Sequence, residues 1–275
     1  MAAIDLEAFA EFERVGWSRI PDPYHRFLGP ITGRAAGPLL DAVGIGVGTR
    51  VLDVATGPGY VAGLAAARGA DVIGVDLSPR MRDLAKDLYP EVEFHVADAA
   101  RLPFPDGRFD AVVAGFLLPH LADHRAVLTE FGRVLAPGGT VGLSTWDQPE
   151  RAPVLGLVVE AVRQVDAPVP DGLPPGPPFF AYSDPVALQE VLEGAGLRDV
   201  AVASHTFVHQ LQSAEALWDG VLAGSVRTAP LVAGQPAATR AAIRAAFNEL
   251  AAPYETGGRL RIPTSILIAT GQLPD

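Results

Sequence analysis

The chain contains no cysteine. Disulfide staples, thiolate metal ligands and a cysteine nucleophile are therefore excluded. Lysine is nearly absent: Lys86 is the only one, and the rest of the 21 basic residues are arginine. They face 32 acids, for a formal net charge of −11. A nucleic-acid partner is not expected, because phosphate binding needs clustered cations that displace counterions. No run approaches the roughly 20 apolar residues of a membrane span, so no membrane partner is expected. The opening residues, MAAIDLEAFAEFERVGW, carry four acids before Arg14 and no basic-then-apolar leader pattern. They do not read as a signal peptide, and a soluble cytoplasmic protein is expected. No internal repeat is visible, and no spacing of His, Asp and Glu suggests a metal site.

Hydrophobic residues make up 49% of 275, enough for one sizeable domain or a core with an added cap. Residues 4–15 place Ile4, Leu6, Phe9, Phe12 and Val15 at roughly helical spacing. Prolines break the next stretch, and Ile31 to Val43 reads as a helix leaving through Gly44, Gly46 and Gly48. From Arg50 short strands and helices alternate: RVLDVA, YVAGLAAARG, DVIGVDLS, a helix from Ser78 to Leu88, VEFHVAD, FDAVVAGFLL, a helix from Arg125 to Leu135 stopped by APGG, and GTVGLSTW. Ser78 is a good N-cap with Pro79 in the first turn. Such alternation implies a parallel sheet with helical crossovers.

After Trp146 the register breaks. Residues 153–165 look helical, and DAPVPDGLPPGPP then holds six prolines and two glycines in 13 residues. That run is a surface loop or a lid over a pocket, with Phe179, Phe180 and Tyr182 beyond it as apolar contacts. Helix resumes at Asp184, VAVASHTFVHQ is a sixth strand, residues 213–252 give two helices, and IPTSILIATGQ is a last strand.

The stretch VLDVATGPGYVAG joins the first strand to its helix through a glycine turn. Gly57, Gly59 and Ala62 match the G-x-G-x-x-A pattern of dinucleotide turns. In that setting backbone amides and the helix N-terminus hold a pyrophosphate. A carboxylate at Asp53 would oppose such a charge and suits an ammonium or sulfonium instead. Asp76, at the end of the second strand, can accept from both ribose hydroxyls of any nucleoside cofactor. Asp98, at the end of the third, can accept from an adenine amino group, with the Ala99 backbone offering an edge contact. Three strand-end acids in succession point to one nucleoside ligand. A nicotinamide oxidoreductase stays open on the glycine pattern alone, as does a ligand-binding protein without turnover.

Taken together these motifs resemble the class I S-adenosylmethionine-dependent methyltransferases, of the broad small-molecule group. VLDVATGPG is similar to the first motif, VIGVDLSPRM to the second, VEFHVADAARLPFPDGRFDAVVAGFLLPHLAD to the third and fourth, and EFGRVLAPGGTVGLSTW to the segment entering the fifth strand. The resemblance implies an α/β, Rossmann-like sheet of seven strands, mostly parallel with the last antiparallel, helices on both faces and helical cap insertions. It divides the chain into a helical cap (1–48), a cofactor-binding core (49–147), a lid or substrate insertion (148–183) and a segment completing the sheet (184–275) with a helical insertion at about 210–258. It implies a methyltransferase that uses S-adenosylmethionine and releases S-adenosylhomocysteine. Asp53, Ala55, Gly57 and Gly59 would line the methionine end; Asp76 would hold the ribose; Leu77 and Met81 would pack on the adenine; Asp98 and Ala99 would meet its edge; Phe116 would lie by the methionyl portion; Tyr24 would close over the cofactor. Where the family's commonest pattern has glycine, this chain has Ala55. Where a related element has an acid, it has His25.

Methyl transfer is an in-line displacement that needs donor and acceptor aligned, with a general base only for acceptors that keep their proton. Of six histidines, His120, just past the fourth strand, and His25, in the capping segment, are the candidate bases. Trp146 and the stripe Phe179, Phe180 and Tyr182 are candidates for the acceptor wall, which makes an apolar or aromatic small molecule the expected partner. A homodimer is allowed for. The alternative is a protein of this fold that binds the cofactor yet catalyses a non-methylating reaction such as cyclisation.

Overall fold

The computed structural model describes residues 4–275. The chain enters through helices. In α1 (Leu6–Arg19) the Asp5 side chain caps the first turn by accepting from the Ala8 amide. Then come α2 (Pro21–Phe27), α3 (Gly29–Thr32), a 3-10 turn (Gly33–Ala35) and α4 (Ala36–Val43). The prolines here do not break the chain: Pro21 and Pro30 sit in first helical turns, where a missing N–H removes no bond. The sheet region then runs β1 (Arg50–Val54), α5 (Tyr60–Ala67), β2 (Asp71–Asp76), α6 (Pro79–Leu88), β3 (Glu93–Val96), β4 (Phe109–Gly115), a 3-10 turn (Leu118–His120), α7 (His124–Val134) and β5 (Leu135–Trp146). The remainder is α8 (Pro153–Gln164), α9 (Pro185–Gly194), β6 (Arg198–Leu211), α10 (Ala214–Gly224), α11 (Thr228–Ala233), α12 (Ala237–Ala251), β7 (Glu255–Thr256) and β8 (Arg259–Gln272).

The strands lie in the order β3-β2-β1-β4-β5-β8-β6. Those from β1 to β5 are parallel to their neighbours, and β8 runs antiparallel between β5 and β6. This is the expected seven-strand path. An eighth, two-residue strand, β7, folds onto β8 through Gly257 and Gly258, both at positive φ. Because the central strands carry apolar side chains on both sides, both faces bury them. Val51 and Val113 join one cluster with Leu39 and Leu40 of α4 and Ala62 of α5. Their strand neighbours Leu52 and Val112 join the other with Phe131 of α7 and Leu188 of α9. The strand order reverses between β1 and β4, which opens a crevice at their carboxyl ends.

Three local expectations change. The fifth strand begins at Leu135 rather than after the glycines, because APGG forms an irregularity between the Phe109 and Ala111 pairings and stays in the strand. Residues 213–252 form three helices, since Ser225 and the Gly234–Gln235–Pro236 break isolate α11. Within 148–183, α8 is core, with Val154, Leu155 and Val158 buried; only the proline-rich run crosses the surface. Prolines offer carbonyls but no N–H, so side chains hold this run: Gln235 Nε2 donates to the Pro168 carbonyl and an Arg227 nitrogen to that of Pro177, both at 2.6 Å.

Phe131 is fully buried at the centre of the α7–sheet interface. Phe131→Ala is expected to destabilise the protein by about 3–5 kcal/mol through lost burial and a residual cavity, read as a lower urea midpoint with little change in slope.

Candidate functional site

The turn after β1 is built on unusual backbone. Ala55, Gly57 and Gly59 all have positive φ, at 56°, 53° and 84°. For glycine this is free; for Ala55 it costs about 1–2 kcal/mol. Two buried carboxylates hold the turn in place. Asp53 Oδ2 accepts from the Thr56 hydroxyl at 2.6 Å and from the Ala62 amide, in the first turn of α5, at 3.0 Å. Asp76 Oδ2 accepts from the Gly57 amide at 2.9 Å, and its Oδ1 from the Ser78 amide at 2.8 Å. Burial pushes the Asp53 carboxyl up to about 7, opposed by the Thr56 and Ala62 hydrogen bonds. Burial likewise lifts Asp76 to about 6.

A cavity enclosing about 1110 Å³, its mouth included, opens at the crevice. Ala55, Gly57, Asp76, Leu77, Met81, Asp98 and Ala99 line it, together with Phe116, Tyr24 and Thr32. The position a Cβ on Gly57 would take is open space. Phe116 has φ +57° and donates its amide to the Ser144 carbonyl, which turns its ring against Trp146 at 4.6 Å. Asp98 accepts from the Ala100 amide and so keeps its own loop in shape. Tyr24 shares a 2.9 Å hydrogen bond with Thr32, and burial pushes its hydroxyl up to about 12.

The same cavity is lined by Trp146, Leu155, Phe179, His120, Glu13, Trp17 and Arg227. His120 Nδ1 and the Trp17 indole N–H both meet Glu13 Oε2, each at 3.0 Å. Glu13 is 3% exposed, and its Oε1 has no partner. Arg227 donates to the Pro119 and Pro177 carbonyls and lies over the rings of Phe9 and Phe179.

Several expectations for individual residues are revised. Asp53 does not line the cavity; it lies beneath the glycine turn and acts through the backbone. Gly59 faces Tyr89, Phe94 and Ala85 rather than the cavity. His25 is turned away, hydrogen-bonded to the Tyr60 hydroxyl at 2.6 Å, because neighbours on a helix point about 100° apart and Tyr24 takes the inward direction. Phe180 stands behind Phe179, and Tyr182 bonds His124 in the opposite core cluster. Glu13 and Arg227 were not expected. Glu13 had a signal: Phe9, Glu13 and Trp17 are spaced by four, so an acid occupies the apolar stripe of α1. Arg227 had none, since nothing local marks it.

The methyltransferase-domain family matches residues 52–143. An uncharacterised protein of Mycobacterium tuberculosis is 39% identical over 123 residues, 43% of this chain and 42% of that protein. The match thus spans less than half of that relative's length. A Bacillus subtilis protein, YcgJ, has the same fold, with a TM-score of 0.57 at 22% identity, covering 88% of this chain and 99% of that one. A demethylmenaquinone methyltransferase of Thermus thermophilus is 37% identical over 162 residues, 54% of this chain and 73% of the relative. A likeness of that breadth exceeds a shared glycine turn, and the chain belongs to the class I S-adenosylmethionine-dependent methyltransferases.

Proposed function

We propose that this protein transfers the methyl group of S-adenosylmethionine to a small, lipophilic, aromatic acceptor of the quinone or phenol type. The observation that carries the reading is one cavity whose lining combines strand-end acids and an open glycine cradle with aromatic side chains and His120. The residues fit the cofactor. Gly57 leaves room where a side chain would stand, and each Asp76 oxygen makes a single hydrogen bond, which leaves lone pairs for ribose hydroxyls. Leu77 and Met81 would pack on the adenine, Asp98 and Ala99 would meet its edge, and Ala55 and Gly57 would flank the methionine end. When bound, S-adenosylmethionine supplies a methyl group activated on a sulfonium.

The chain's own part is alignment, water exclusion and proton handling. Phe116 and Trp146 would set the plane of the acceptor, and α1 with the proline-rich run would cover it. His120, on the cavity wall, would take a proton from the acceptor. The Thermus relative's name supports a quinone-type acceptor, and the apolar wall agrees with it. The segment through residue 48 and the run near 166–178 would act as the cover, and the sheet as the platform.

S-adenosylhomocysteine at saturating concentration is expected to raise the melting temperature by several degrees. Asp76→Ala should remove most of that shift and, by leaving the Gly57 and Ser78 amides unpaired, also lower the ligand-free transition. With S-adenosylmethionine and a panel of hydroxylated naphthalenes and quinols, mass spectrometry should show products heavier by one CH₂. Turnover without a mass change would replace transfer with rearrangement of the acceptor.

The buried aspartates also set a pH dependence. Folded values of about 7 and about 6 lie above the ordinary 3.8, so the folded state binds extra protons between them. That stabilisation is complete below about pH 4 and is lost as pH rises through 6 and 7. Asp53→Asn keeps an oxygen for Thr56 or Ala62 and cannot ionise. In ligand-free protein it should therefore flatten the melting-temperature curve over that window relative to the wild type.

A further inference from the structure

Glu13 is the least expected residue in the cavity. A carboxylate 3% exposed is costly unless its oxygens are engaged, and here the engagement is lopsided. Oε2 takes both the Trp17 and the His120 contacts, while Oε1, itself buried, takes none among the described residues. A carboxylate placed only for structure would be expected to spread its donors over both oxygens. The free oxygen belongs to a side chain that lines the cavity, beside His120, Phe179 and Arg227.

The ionised carboxylate can only accept. It therefore selects the His120 form with its proton on Nδ1, and in the neutral ring the lone pair then sits on Nε2. Among the described residues Nε2 has no hydrogen-bond partner, and the ring is held edge-on by Trp17 at 5.0 Å and Phe179 at 6.0 Å. A free acceptor on Glu13 and a free lone pair on His120 thus share one wall. Both would meet a hydrogen-bond donor on the ligand.

We propose that Glu13 is the positioning and recognition residue of the acceptor site: Oε2 holds His120 in its Nδ1–H form, and Oε1 receives a hydroxyl of the acceptor. The proposal rests on the methyl-transfer reading for the direction in which the proton moves. Before transfer the hydroxyl donates to Oε1; during transfer it swings its single proton to His120 Nε2, which takes it. The electron pair it leaves on the acceptor forms the new bond to the methyl carbon, and the pair of the broken carbon–sulfur bond stays on sulfur. Arg227 argues for a hydroxyl over an amine. Its guanidinium has no carboxylate within salt-bridge distance and spends two hydrogen bonds on the Pro119 and Pro177 carbonyls. Burial pulls its pKa down while the Glu13 charge pulls it up, so the two charges feel each other across the cavity. A fixed cation there repels an ammonium and favours an acceptor that becomes an anion as it loses its proton.

The test uses the full chain saturated with S-adenosylhomocysteine and two ligands of equal shape, 2-naphthol and 2-methylnaphthalene. Calorimetry should show the naphthol bound at least tenfold more tightly by the wild type, and the preference falling below twofold in Glu13→Leu. In ¹⁵N-labelled protein, long-range proton–nitrogen correlation should show His120 as the Nδ1–H form, reverting to Nε2–H in Glu13→Leu. With any acceptor the wild type methylates, Glu13→Gln, the conservative variant that should fold even where Leu does not, should lower kcat about a hundredfold and leave the affinity for S-adenosylhomocysteine within twofold. Equal binding of the two naphthalenes by the wild type would overturn the proposal. So would an Nε2–H form of His120 in the wild type, or a tenfold loss of S-adenosylhomocysteine affinity in Glu13→Gln with the naphthol preference intact, which would assign Oε1 to the cofactor. Hydroxyl discrimination without methyl transfer would end the methyl-transfer reading and leave the Glu13 assignment standing.

Discussion

The hydrogen bond from the Gly57 amide to Asp76 joins the ends of β1 and β2, and the rest of the site depends on it. The turn it anchors runs through three residues at positive φ, one of them an alanine, a conformation the chain would not hold unaided. Asp53 supplies the second anchor, from beneath, by capping Thr56 and the first turn of α5. Neither aspartate has a cationic partner. Both are neutralised only by dipoles: backbone amides, a hydroxyl and the amino end of a helix. That is a costly way to bury charge, and it explains why both carboxyls titrate far above the ordinary range. The cost is offset by position, since the same amides and helix ends make the cradle rigid before any ligand arrives.

The opposite wall is held by a different device. Apart from Trp146 at the end of β5, its side chains come from helices, turns and loops outside the strands. Ser18 of α1 lies 3.1 Å from Ser78, the N-cap of α6, which ties the covering helix to the cofactor end. Arg227 ties the turn after β4 to the proline-rich run by donating to one carbonyl of each. A run with so few N–H groups cannot join a sheet or helix, but its carbonyls can be gripped. The guanidinium, with its fan of donors, suits that task as well as facing the cavity.

Legibility in the sequence follows the range of the interactions. The sheet, its crossovers and the strand-end acids depend on alternation within a few residues, and they were readable as Val51 to Gly63 and as Asp76 and Asp98. The strand count differs only by the two-residue β7, a hairpin closed by paired glycines. Asp53 was legible as an important acid but not in its direction. Strand alternation puts it on the face of Val51, under α5, where it meets Ala62 and not the cavity. His25 shows the helical version of the same effect, since Tyr24 points inward and its neighbour cannot. Glu13 was visible as an acid on an apolar stripe, yet only the fold brings it to His120, 107 residues away. Arg227 left no local trace at all.

This contrast in range separates the two halves of the cavity by how they can vary. The cofactor end is drawn from residues within one strand–turn–helix unit or its immediate neighbours, so a change there disturbs fold and binding together. Glu13, His120, Phe179 and Arg227 come from four separate segments outside the strands, each replaceable without breaking a sheet hydrogen bond. Buried charge at such a place adds little stability, because desolvation cancels most of the attraction. Its effect lies in the cavity, where a carboxylate and a guanidinium are screened far less than in water. A chain that buries Glu13, half-buries Arg227 and keeps the two out of contact is suited to a ligand between them, and a group that donates to one and develops charge toward the other satisfies both.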